Sequence, residues 1–268
     1  MKRAETLDAV TAAHLAAGGW RLGERVPPGP HALRTPLAEA GTVGLAAGLA
    51  LTGQRVVVEL VEAAGVARAA DALADVATVR SRSGNAWSAP VVVSVPLRVE
   101  DDRPAVPRGW VIGVATGDED AATMLRHALT AADPTMIFLA ALPAGSAAVE
   151  PAGDLGAGVP MVRREGSVLT VLAEGAGVAV ALEAAARLDG EGLFIEVVDL
   201  RGAGPDAPLV AARVARTGRV IHVGHGGAEV LLGALMGAFW SLESPPAVLA
   251  AREGPEALAR LVRATLDA

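Results

Sequence analysis

The chain has no cysteine. That excludes disulfides, thiolate metal sites and a cysteine nucleophile. Aromatic residues make up only 3% of it, so its cores must be built from alanine, valine and leucine. Basic runs are absent and the net charge is −7. A nucleic-acid partner, whose phosphates demand a positive stripe, is therefore not expected. No apolar run approaches the roughly 18–20 residues needed to span a bilayer, and no apolar signal core follows Met1-Lys2-Arg3-Ala4-Glu5. The expectation is a cytoplasmic protein without a membrane partner.

What is present is ample apolar material, 52% of 268 residues, enough for two α/β domains. Strand-length β-branched runs alternate with alanine-rich helical segments. Strands are expected near Arg55–Leu60, Val91–Val95, Trp110–Ala115, Met136–Ala140, Val168–Ala173, Phe194–Leu200, Arg219–Gly224 and Ala247–Ala250. Between them, helices are expected over Gly41–Leu51, Ala64–Arg82, Asp118–Ala131, Val178–Leu188, Asp206–Arg216, Ala228–Trp240 and Pro255–Asp267, with one more at the start, Glu5–Ala17. This alternation predicts parallel sheets with helices on both faces. A stretch rich in Pro, Gly, Ala and Ser reads as a linker. The expected division is a domain over 1–145, a linker over 146–166 and a second domain over 167–268. Gly44 and Gly48 lie four apart on one helical face. Since glycine costs about 1 kcal/mol in a helix interior, the pair predicts close approach of another backbone, and a homodimer contact through that helix.

Four ordered segments carry a family resemblance. They are Gly23-Glu24-Arg25-Val26; Thr35-Pro36-Leu37-Ala38-Glu39-Ala40-Gly41 with Gly44 and Gly48; Arg80-Ser81-Arg82-Ser83-Gly84; and Glu196-Val197-Val198-Asp199-Leu200-Arg201 followed by Thr217-Gly218-Arg219. The chain resembles the β subunit of the thiamine-diphosphate-dependent decarboxylating component of 2-oxo acid dehydrogenase complexes, of pyruvate or branched-chain type. The resemblance implies two parallel-sheet α/β domains, a transketolase-like pyrimidine-binding domain followed by a transketolase C-terminal-like domain. It also implies an α-type partner subunit in an α2β2 heterotetramer, with the cofactor shared between subunits and Mg²⁺ and diphosphate held mainly by the partner. The chain alone would be inactive. Glu39 falls where the family places the glutamate that hydrogen-bonds the aminopyrimidine, and Glu24 matches a family glutamate near the subunit interface. In a nearly dry pocket, desolvation would raise the pKa of Glu39 and let it share a proton with a ring nitrogen. From spacing alone, Glu39 could equally be a first-turn acid stabilised by the helix dipole.

The sequence departs from the family pattern in three places. Where the family carries rings after the strand ending at Glu59, this chain reads Leu60-Val61-Glu62-Ala63-Ala64-Gly65. Where the family has a long loop bearing a histidine, the chain runs from Pro96 to Trp110 without one. The segment from Val26 to Arg34 is compressed. These departures keep a second reading open, a catalytically degenerate paralogue retained for assembly or regulation. A third reading takes Gly175-Ala176-Gly177 as a dinucleotide turn, although Val180 stands where the third glycine belongs. His222 and His225 follow a buried run, with Glu229 the one obvious further ligand; a strand-end pair is the alternative to a metal site. No metal ligand is assigned.

Overall fold

The computed structural model describes residues 6–203, 208–225 and 236–267. The chain divides into two compact units. One comprises residues 1–97, 104–139 and 153–157; the other comprises residues 98–103, 140–152 and 158–268.

In the first unit, α1 (Leu7–Ala16) leads to β1 (Trp20–Gly23) and β2 (Ala32–Arg34). Then come α2 (Glu39–Leu51), β3 (Val56–Glu59), α3 (Ala64–Arg68), α4 (Ala70–Arg82) and β4 (Val91–Leu97). The unit closes with β5 (Val111–Thr116), α5 (Asp118–Thr130) and β6 (Thr135–Ala140). The six strands are ordered β2-β1-β3-β4-β6-β5, with β1, β2, β3 and β4 mutually parallel. Val57, Val92, Ala115 and Ile137 form one core with Val10 of α1 and with Ala121, Leu125 and Ala128 of α5. The alternate positions Val56, Val58, Val91 and Val93, also buried, face the other side, because side chains alternate along a strand. This doubly covered geometry explains why the strands read as unbroken apolar runs.

The second unit contains β7 (Met161–Arg164), β8 (Thr170–Ala173), α6 (Ala176–Leu188), β9 (Glu196–Asp199), α7 (Pro208–Thr217), β10 (Val220–Gly224), β11 (Ala247–Ala250) and α8 (Gly254–Leu266). Its sheet order is β11-β10-β8-β9-β7. Val171, Ala173, Val197, Ile221 and Val223 pack with α6 and α8 on one face. Leu172, Val198 and Val220 pack with Val210 and Val214 of α7 on the other.

Three expectations need revision. The stretch expected to be a linker, 146–166, contains β7, which pairs antiparallel with β9; its Arg163 ion-pairs with Asp199, at the end of β9, a contact no local pattern announces. The single long helix over Ala64–Arg82 is two helices, because the backbone leaves helical geometry at Ala69 (φ −100°, ψ 7°). The strand β2 was not foreseen; its three residues pair with β1 beside the proline-rich turn. Most of the helix expected over Ala228–Trp240, and Glu229 with it, lies outside the described residues.

Candidate functional site

Thr35 and Pro36 bring the chain from β2 into α2, and the Thr42 hydroxyl is 3.1 Å from the Thr35 hydroxyl and from the Ala38 carbonyl. Ala38 caps the helix without a side-chain hydrogen bond, so Glu39 is the acid of its first turn, a favoured place for negative charge. Glu39 is 8% exposed. It borders a narrow cleft formed with the ends of β1 and β3, lined also by Gly23, Glu24, Thr35, Glu59 and Leu60. The cleft has room for about one water molecule. Both sequence-predicted residues, Glu39 and Glu24, therefore face one opening. Glu59 at its rim is clamped by Arg21, with bonds of 2.6 and 3.0 Å.

The expectation of a raised Glu39 pKa is corrected. Arg68, the last residue of α3, donates to Glu39 Oε1 from Nε at 2.7 Å and from Nη2. Nη2 also donates to Glu62 Oε1 at 2.9 Å. The bonded guanidinium outweighs desolvation and holds the Glu39 carboxyl below the usual carboxylate range. Gly65 permits this approach: a Cβ there would sit 3.3 Å from Glu39 Cγ and 3.4 Å from its Oε1. Nothing in the sequence marked Arg68. It is 29 residues from Glu39, inside what reads as an ordinary alanine-rich helix, and only the packing of α3 beside α2 brings the two together.

Thiamine diphosphate, the cofactor the resemblance implies, does not fit the residues as they stand. One Glu39 oxygen is taken by a guanidinium, Glu39 is held ionised, the cleft is too small for a pyrimidine ring, and among the described residues no aromatic side chain lines it.

The other candidates fall elsewhere. Gly175 has φ +54°, and a Cβ on Gly177 would lie 2.1 Å from the Val223 carbonyl oxygen. These glycines make a tight turn and let α6 press on β10, which accounts for them without a dinucleotide. His225 accepts from the Ala176 N–H at 3.3 Å and so carries its proton on Nδ1, 3.0 Å from the Asp101 carbonyl. His222 is fully buried, and burial pushes its pKa down. Among the described residues no three His, Asp or Glu side chains are arranged to hold a metal ion. His14 Nε2 donates to the Trp20 carbonyl at 3.1 Å, and His127 pairs with Asp154; both are structural. The α2 face bearing Gly44 and Gly48 is exposed, and a Cβ on either would meet nothing within 4 Å. Among the described residues no backbone approaches it.

The sequence of the family "Transketolase, C-terminal domain" matches residues 158–258. Pyruvate dehydrogenase E1 component subunit β of Staphylococcus epidermidis is 32% identical over 242 residues, covering 82% of this chain and 74% of that protein. The chain belongs to the family of pyruvate dehydrogenase E1 component β subunits. The Staphylococcus aureus member is 30% identical over the same coverage. Among solved structures, a split-gene transketolase described as an inactive beta4 tetramer matches with a TM-score of 0.70 at 19% identity, over 96% of this chain and 95% of that one. A transketolase mutant from Pichia stipitis matches with a TM-score of 0.65 at 14% identity, over 99% of this chain and 46% of that one. At such identities the two structures establish the transketolase-like fold alone. As an E1 β-type chain, the molecule has the expected two parallel-sheet-based α/β units, with one antiparallel edge strand in the second.

Proposed function

We propose that this chain is the β-type subunit of a thiamine-diphosphate-dependent 2-oxo acid dehydrogenase, performing oxidative decarboxylation only together with an α-type subunit. The observation that carries this reading is a buried carboxylate, Glu39, at a helix N-terminus beside the strand ends of a transketolase-like unit, in a chain 32% identical to an E1 β subunit. Glu39 and Glu24 are the residues proposed to face the aminopyrimidine, and Glu39 is the proposed catalytic group. Diphosphate and Mg²⁺ need several hard oxygen ligands and cationic or N–H donors, and the cleft here is bordered by three glutamates. Those ligands are assigned to the α-type partner. Oxidative decarboxylation is chemistry that thiamine diphosphate would supply in the assembled enzyme; the Glu39 cleft of this chain by itself does not accept its ring.

The exposed α2 face is proposed as a homodimer contact, since Leu45 and Leu51 (43% and 49% exposed) lie beside Gly44 and Gly48. Among the described residues no helix is long and apolar enough to cross a membrane, and a cytoplasmic location is proposed on that basis and on composition.

The test is reconstitution. The purified chain alone should show no thiamine-diphosphate-dependent turnover. With an α-type subunit it should reduce an artificial electron acceptor in the presence of a 2-oxo acid. Glu39→Gln in that complex should lower kcat by at least about 100-fold, the usual contribution of a proton-handling group. Wild-type kcat in that variant would remove Glu39 from the chemistry and favour the assembly paralogue.

A further inference from the structure

In the second unit the chain leaves β8 for β9 on one side and then reaches β10 on the other, with α6 and α7 on opposite faces of the sheet. The carboxyl ends of β8 and β10 therefore frame the crevice in which open α/β sheets receive ligands. Here that crevice holds buried polar atoms without partners. Glu174 follows β8 directly and is fully buried, yet among the described residues its Oε2 has no hydrogen-bond partner. His222 of β10 is equally buried and has none at either ring nitrogen. The two side chains meet over Gly224, where a Cβ would lie 2.8 Å from Glu174 Cγ and 3.2 Å from His222 Cε1. A buried carboxylate calls for a cation, and the cation comes from a distant part of the sequence. Arg103 Nε donates to Glu174 Oε1 at 3.2 Å, and the Arg103 side chain is only 11% exposed. The residues before Arg103 are seated with it. Its N–H donates to the His225 carbonyl, and His225 Nδ1 donates to the Asp101 carbonyl. Asp102 pairs with Arg252 at 3.5 Å, and the Asp101 carboxylate accepts from the Arg98 N–H at 3.0 Å. Residues 98–103 belong to the second unit, although residue 97 before them and residue 104 after them belong to the first.

We propose that this crevice is a guanidinium-binding site and that Arg103 is the ligand it holds, supplied by the chain itself, which makes residues 98–103 an integral strap of the second unit. The Glu174 carboxylate selects for a cation. Its unpartnered Oε2 adds a second acceptor beside Oε1, and a planar fork of N–H groups can use both oxygens where a single ammonium cannot. The other ionisable groups at the site, His222 and His225, bring no negative charge to compete for the guanidinium. The same carboxylate repels phosphate, so the crevice beside the Gly175-Ala176-Gly177 turn is closed to a nucleotide by charge as well as by Arg103.

The test is chemical complementation in the full chain. Arg103→Gly should lower Tm by about 10 °C. Methylguanidinium chloride, titrated to about 50 mM, should then restore at least about half of that loss along a saturating curve. Methylammonium chloride, the ionic control, should not restore it. Wild type, whose seat is filled, and the double variant Arg103→Gly/Glu174→Gln, whose acceptor charge is gone, should show no methylguanidinium-specific gain. A Tm of Arg103→Gly equal to wild type overturns the proposal. So does the absence of rescue, an equal rescue by methylammonium, or the same response to methylguanidinium in all three proteins. A second measurement needs no glycine variant. In ¹⁵N NMR of the wild-type chain, the Arg103 Nε–H should exchange with solvent at least about tenfold more slowly than that of the exposed Arg82, and Glu174→Gln should remove the protection. Exchange of the Arg103 Nε–H as fast as that of Arg82 overturns the seat whatever the stability of Arg103→Gly.

Discussion

The residues around α2 in the first unit and those around β8 and β9 in the second use the same residue types in opposite ways. Around β8, β9 and β10 of the second unit, two carboxylates and one glycine are enclosed. Glu196 is fully buried and receives the Thr170 hydroxyl at 2.8 Å together with Arg213 at 2.9 Å and Arg216. Asp199, also fully buried, is bonded by Arg163, whose side chain is 5% exposed. Gly177 is pressed against the Val223 carbonyl. Around α2 of the first unit the counterparts are open. Glu39 borders a cleft and its arginine is accessible, while Gly44 and Gly48 face open space. An ion pair that is closed on all sides fixes a strand; one that is half open can exchange partners. The difference assigns scaffold duty to Glu196 and Asp199 and leaves Glu39 with a partner that solvent can still reach.

The sharpest way to break that contrast is Arg163→Met. It leaves Asp199 buried without its main cation and should cost about 3–5 kcal/mol in urea denaturation; a loss no larger than that of Arg68→Gln would erase the distinction between enclosed and open pairs. Gly177→Val comes next. The added side chain must displace backbone, and about 3 kcal/mol of destabilisation is expected, with no change in binding of any nucleotide. Saturable calorimetric binding of NAD lost in that variant would instead restore a dinucleotide role for the turn. The α2 glycines should respond with the opposite sign. Gly48→Ala should stabilise the monomer by about 0.5–1 kcal/mol, since a helix-interior glycine carries an entropic cost and the added Cβ meets nothing. If a second copy packs on this face, the same substitution weakens self-association in sedimentation equilibrium.

The smallest expected effect is in pH. His222 has its pKa lowered by burial, and so does His14 against the opposing pull of the Trp20 carbonyl. As pH falls below about 6.5 the unfolded chain takes up these protons before the native one does, so stability declines. Glu39, depressed by Arg68, adds a stabilising contribution present above its ordinary value and lost only at lower pH. A Tm profile from pH 8 to 4 should fall through the first window in wild type. The slope should flatten in His222→Leu, and Arg68→Gln should leave that window unchanged.

Much of the architecture was legible from pattern. Buried strands such as Val56-Val57-Val58 and Val91-Val92-Val93 are unambiguous because both of their faces are covered, and the acid-rich first turn of α5 marks its own start. The short edge strands β2 and β7 were not, because three or four residues that gain their pairing from a distant strand carry no period of their own. In the site, the sequence identified Glu39 by its place in an ordered motif, yet gave its electrostatics the wrong sign. Desolvation follows from local burial, and the opposing cation arrives from a separate helix.

The sequence by itself determined the class of fold, the family and the position of the carboxylate at a helix entry, because periodicity and motif order are local properties of the chain. Tertiary structure alone decided what that carboxylate is doing. Coulombic and hydrogen-bonding partners act over a few ångströms in space and without regard to separation along the chain, so the pairing of Glu39 with Arg68, and of Arg68 with Glu62, exists only once α2 and α3 have packed.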